Sequence, residues 1–185
     1  MSRIDETRPF IPVRIAVLTV SDTRTKKTDK SGPLLVSMIK EAGHEVAEHE
    51  VVEDDVKAIR KKVKGWIKDP DVDVVVTTGG TGFTGRDVTP EAIRPLFEKE
   101  IDGFSALFHM LSYQKVGTST VQSRACGGLA KGTYIFCVPG SPGACQDAWH
   151  GILRQQLDNR HRPCSFIEIM PRLQEKRKAT TKPKA

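Results

Sequence analysis

Residues 77 to 87, TTGGTGFTGRD, set a glycine loop directly before an arginine and an aspartate. Such a loop exposes successive backbone amides, which suits it to the oxygens of a phosphate. Gly80 to Gly85 fit the dinucleotide fingerprint G-x-G-x-x-G, and Gly80 to Asp87 fit a P-loop whose Lys and Ser/Thr are replaced. Neither template survives inspection. A dinucleotide loop closes directly into a helix after the first strand, with a ribose-binding acid ~20 residues on. Here Arg86, Asp87 and Val88 intervene before the helix start at Thr89-Pro90, and the loop follows a third strand. A P-loop needs the Lys for phosphate and the hydroxyl for Mg²⁺, and Asp87 offers an anion instead. A carboxylate beside a phosphate cradle repels its ligand unless a cation lies between them. That chemistry points to Mg²⁺, which is held by one or two carboxylates plus substrate phosphates. Glu53-Asp54-Asp55 supplies a second acid. One of its aspartates can cap the helix that follows while another faces ligand. For Asp87 the competing reading is a cap on its own turn.

Alternating strands and helices must position these groups. Arg14 to Val20 is an apolar, β-branched run and reads as a buried strand. Ser31 to Ala42 has helical spacing and stops at Gly43, 44–52 is a second strand near an edge, and 55–68 is a helix with a lysine-rich outer face. Val72 to Thr78 is a third strand. Thr89-Pro90-Glu91 reads as a helix start with Thr89 at the cap. A helix over 103–113, a fourth strand over 133–138 and a helix over 144–157 follow, and 115–132 reads as a small-residue stretch. The order predicts a three-layer α/β domain, a largely parallel sheet flanked by helices. Ligands of such sheets bind beyond the carboxyl ends of the strands. That edge collects Ser21-Asp22-Thr23, the glycine loop and Pro139-Gly140-Ser141.

At 185 residues the chain suits one domain, expected over 13–171 after an extended segment at 1–12. Its net charge of +6 is unevenly placed: residues 172–185 hold six Lys/Arg and one Glu, whereas the preceding 171 hold 23 basic and 22 acidic side chains. The basic tail has almost no apolar residues and is expected to be disordered, and nucleic-acid binding is not expected of the neutral body. No run approaches the ~20 apolar residues of a membrane helix, and a cytoplasmic protein is expected. Cys126, Cys137, Cys145 and Cys164 form no C-x-x-C pair and read as free thiols, Cys137 as a core residue. The five histidines are scattered and read as structural or surface residues. No Ser-His or Cys-His pair stands out.

Taken together, TVSDTR, TTGGTGFTGRDVTPEA, GTSTVQSRACGG and VPGSPGAC, in this order and spacing, resemble the MoaB/Mog family of molybdenum cofactor biosynthesis over residues 10 to 170. The resemblance implies a molybdopterin-binding fold and an adenylyl transfer from Mg-ATP to the terminal phosphate of molybdopterin, releasing pyrophosphate. It implies a homotrimer, or a homohexamer in the B-type branch, which EIDGFSALFHMLSYQKVGTST resembles. FSALFHML could be that interface or core. By position, Gly79, Gly80, Thr81 and Gly82 would line the nucleotide phosphates. Asp54 and Asp87 would be the essential acids handling Mg²⁺. Ser21, Asp22, Ser123, Arg124, Pro139, Gly140 and Ser141 would complete the nucleotide and pterin pocket. Active relatives commonly carry a proline before the first acid, where this chain has Glu53. A non-catalytic pterin or nucleotide carrier is the alternative.

Overall fold

The computed structural model describes residues 3–175. Most of the basic segment 172–185, and with it the expectation of disorder, lies outside the described residues. The sheet is built on β2 (Arg14–Val20), β3 (Glu45–Val52), β4 (Val74–Thr78) and β7 (Thr133–Val138), which run parallel in the order β3-β2-β4-β7. Every residue of β4 and β7 is buried. The period-2 alternation of a strand explains how this happens. Ile15, Val17, Val74, Val76, Tyr134, Phe136 and Val138 face one core cluster. Ala16, Leu18, Val20, Val75, Ile135 and Cys137 face the other.

Helices cover both faces. On the first lie α1 (Ser31–Glu41), α4 (Asp102–Val116) and α5 (Pro142–Ala148). The last runs through a π-turn at Trp149–Leu153 into α6 (Arg154–Gln156). On the second lie α2 (Val56–Lys68) and the short α3 (Thr89–Ile93), through Ile59, Val63, Trp66, Ala92 and Ile93. The result is a three-layer α/β domain. The N-terminal segment adds β1 (Arg3–Ile4), which pairs antiparallel with β8 (His161–Arg162). The short α7 (Phe166–Ile169) closes the far end, where Ile167 joins the first core cluster. Among the described residues no helix is long and apolar enough to cross a membrane.

Two features depart from the expectations. The small-residue stretch over 115–132 contains a strand, β6 (Cys126–Ala130), antiparallel to β7, and β5 (Lys99–Glu100) pairs antiparallel with β6. The sheet is therefore mixed, with six strands. A Cβ at Gly128 would run into the Phe97 ring, so the residues that read as loop-formers are those that let an aromatic lie on the strand. Lys131 and Gly132, at φ 51° and 92°, make the two-residue turn into β7. The second departure is Thr89. It is the first residue of α3 and caps nothing; its hydroxyl donates instead to the Gly79 carbonyl at 2.9 Å.

Cys126, Cys137 and Cys145 are buried free thiols and Cys164 is exposed. Burial pushes Cys145 up to about 11, an inert thiol at neutral pH.

Candidate functional site

The strand ends bring the expected loops together. After β2, the Ser21 amide donates to the Val52 carbonyl at 2.9 Å, joining the first loop to the end of β3. Asp22 and Asp54 then bond reciprocally: the Asp22 amide donates to Asp54 Oδ2 and the Asp54 amide to Asp22 Oδ1, each at 2.9 Å. Asp55, not Asp54, caps α2, accepting from the Ala58 amide at 2.7 Å. Asp54 is thus left at the loop edge, fixed without a preceding proline. Burial and the neighbouring charges of Asp22 and Asp87 push its carboxyl up.

The glycine loop is held from both sides. Gly79, at φ 104°, donates its amide to the Val138 carbonyl at 3.1 Å, and a Cβ there would strike the Val20 carbonyl. A Cβ at Gly80, φ 62°, would lie 2.8 Å from Asp54 Oδ1. Only glycine allows the loop to lie this close to β2 and the first acid. The Gly80 and Thr81 amides donate to no protein acceptor among the described residues.

Asp87 caps its own turn, as one sequence reading allowed: Oδ2 accepts from the Thr84 amide at 2.9 Å and its hydroxyl at 2.6 Å. Burial pushes this carboxyl up, but the Thr84 and Gly82 hydrogen bonds and the Arg124 charge outweigh it and hold Asp87 below the ordinary value. Arg86 pairs with Asp22 across the cleft. The two acids therefore differ: Asp87 is held ionised, whereas Asp54 is crowded by like charge.

Arg124 ties the loop down. Its Nε donates to the Gly82 carbonyl at 2.8 Å and its Nη2 to the Asp87 carbonyl at 2.7 Å, while its Nη1 pairs with Glu91. Its amide donates to the Thr81 carbonyl at 3.0 Å. The preceding Ser123 presents a buried hydroxyl with no partner, and so does Thr120. They border a cavity of about 290 Å³ that also touches Pro139 and Ser141. The Ser141 hydroxyl accepts from the Ala144 amide at 3.2 Å and caps α5. His109 links α4 to this segment, with Nδ1 2.7 Å from the Ser105 carbonyl and Nε2 3.1 Å from that of Ser123.

Asp29 was not singled out in the sequence. Its buried carboxylate accepts from the Thr19 hydroxyl at 2.6 Å and from the Ser31 and Gly32 amides at 3.0 and 3.1 Å. Ser31 in turn donates to the Gly140 carbonyl at 2.8 Å, bridging two loops. An acid two residues before a helix is a capping signal that would have found it. Ser21, Asp29, Ser31, Thr78 and Gly140 border a cavity of about 150 Å³. Two roomier hollows, about 430 and 440 Å³, lie around Met170 and Pro171 at the opposite edge of the sheet, away from these carboxylates.

A six-stranded mixed sheet with a glycine loop and two unlike carboxylates at its carboxyl edge defines a class. Residues 16–159 match the family described as a probable molybdopterin binding domain, and the chain belongs to that family. Among its relatives is molybdenum cofactor biosynthesis protein B of Escherichia coli K12, 51% identical over 157 residues, which cover 85% of this chain and 92% of the relative. The protein of that name from Bacillus subtilis 168 is 46% identical over 146 residues, covering 78% and 86%. A crystal structure of molybdenum cofactor biosynthesis protein B superposes with a TM-score of 0.79 at 46% identity, covering 81% of this chain and 94% of that one. The tungsten cofactor synthesizing protein MoaB of Pyrococcus furiosus gives 0.70 at 33% identity, covering 89% and 98%.

Proposed function

We propose that the protein acts in molybdenum cofactor biosynthesis as a nucleotidyltransferase. It binds ATP and molybdopterin and transfers the adenylyl group to the terminal phosphate of the pterin. The observation that carries this reading is the placement of two carboxylates against one glycine loop, Asp54 beside Gly80 and Asp87 beside Gly82, from segments 33 residues apart in sequence.

The donor set suits a hard divalent cation. Among the described residues no group of three or more His, Cys, Asp or Glu side chains is arranged to hold a metal by itself. Two carboxylate oxygens in a like-charged cleft fit an ion that takes its other ligands from phosphates and water, as Mg²⁺ does. Asp54 and Asp87 would hold it, and it would neutralise charge on the reacting phosphates.

In the reaction a terminal phosphate oxygen of molybdopterin attacks the α-phosphorus of ATP. The new P–O bond forms as the bond to pyrophosphate breaks. The chain's own contribution is positioning and charge. The unpartnered Gly80 and Thr81 amides hold phosphate oxygens, Arg124 keeps the loop in shape, and Asp22 holds Asp54 in register. No protein nucleophile is needed.

Self-association accompanies this proposal. Phe104 and Phe108 are core residues, but Leu107, Met110, Tyr113 and Val116 on the same helix are exposed. FSALFHML therefore serves both readings: its phenylalanines pack inward with Leu111 against the same core, and Leu107 and Met110 fit a trimer or hexamer contact.

The test incubates purified protein with molybdopterin and Mg-ATP and measures pyrophosphate and adenylylated pterin. Product above background supports the transferase. Pterin binding without product replaces it with a non-catalytic carrier.

A further inference from the structure

Phe83 stands at the tip of the glycine loop and is 68% exposed. Gly82 precedes it and Gly85 follows two positions on, and the space beside Gly85 is open. The guanidinium of Arg124 lies 5.5 Å from the ring centroid, and the same group is fixed by its bonds to the Gly82 and Asp87 carbonyls. The ring is thus backed by a held cation while most of its surface meets solvent. It stands three positions beyond Gly80, a reach of at most about 10 Å from that amide.

We infer that Phe83, backed by Arg124, is a stacking platform for the flat heteroaromatic ring of a ligand whose phosphate sits on the glycine loop. The inference rests on the phosphate-binding reading given above. Aromatic rings stack on any flat heterocycle, and an adjacent arginine adds a cation–π contribution. Two sources share this chemistry, the purine of a nucleotide and a pterin.

The experiment separates them by isothermal titration of wild type, Phe83→Ala and Phe83→Trp with three probes in Mg²⁺: ATP, inorganic tripolyphosphate and a pterin monophosphate. Phe83→Ala is expected to weaken ATP or the pterin on the order of tenfold while leaving tripolyphosphate unchanged, and the ring that suffers identifies the source. Phe83→Trp, which keeps a flat face, restores binding. Sedimentation of each variant reads the oligomeric state in parallel. The platform is overturned if Phe83→Ala binds every probe as wild type does, if it loses tripolyphosphate equally, or if it alters the oligomeric state. The phosphate reading has its own outcome: a wild-type protein that binds neither ATP nor tripolyphosphate removes it, and the platform with it.

Discussion

Asp54 and Asp87 have the same side chain and opposite environments. The Thr84 hydrogen bonds and Arg124 keep Asp87 charged, and burial with two like charges makes Asp54 the costlier anion. Replacing Asp87 by Ala is expected to lower turnover by roughly 10²–10³-fold, the scale of one electrostatic group in a transition state, with a much smaller change in pterin affinity. Steady-state rates and equilibrium binding measured side by side check this, and an unchanged rate removes Asp87 from the mechanism. Gly80→Ala acts on the other acid and on the Thr89 hydroxyl, which the added Cβ would strike. At φ 62° the added Cβ costs about 1–2 kcal/mol, and it meets Asp54 Oδ1 at 2.8 Å. Thermal denaturation and the pyrophosphate assay should fall together in this variant. At this scale the sequence was informative where chemistry requires a residue type: both acids and the glycines stand at the strand ends. It was silent on which partner each would find. That Asp22, rather than a proline, restrains Asp54 depends on two loops 32 residues apart, and no local pattern encodes such a contact.

Elements were legible where burial imposes a period. The four parallel strands and the larger helices follow from apolar runs and helical spacing, because propensity and packing agree there. β6 was not legible. Cys-Gly-Gly-Leu-Ala has neither alternation nor β-branching, and its fitness as a strand comes from Phe97, some thirty residues away. Enlarging Gly128 to Val forces that ring off the sheet and is expected to cost about 1–3 kcal/mol, read from urea unfolding. An unchanged midpoint would show that Phe97 moves aside freely. Thr89 teaches the same lesson in reverse: a strong capping signal was outweighed by a tertiary acceptor, the Gly79 carbonyl.

The whole molecule adds pH and assembly. Burial pushes His44 down to about 4, against the weaker pull of Asp158, and its Nδ1 accepts from the Val13 amide at 3.3 Å. The folded protein therefore prefers neutral His44. Stability is fully present above the unfolded value near 6.5 and is lost as pH falls from there toward 4, by on the order of 3 kcal/mol. His44→Asn keeps an acceptor for Val13 and should flatten the unfolding profile in that window. Self-association is tested by Met110→Glu, which places a charge on the exposed apolar face of α4. Sedimentation should show smaller species than wild type, and identical species would move the interface elsewhere.

One reversal of chain direction governs how the cleft is furnished. In a wholly parallel sheet the carboxyl edge receives only segments that leave a strand. Because β6 runs against β7, a segment that enters a strand also arrives there, and it delivers Ser123 and Arg124. Were β6 parallel, its five residues would carry that arginine to the far edge, about 16 Å away. The Gly82 and Asp87 carbonyls would then lose the side chain that binds them together. A single two-residue turn at Lys131-Gly132 thus decides whether Arg124 reaches the loop, although it lies at the other end of the domain.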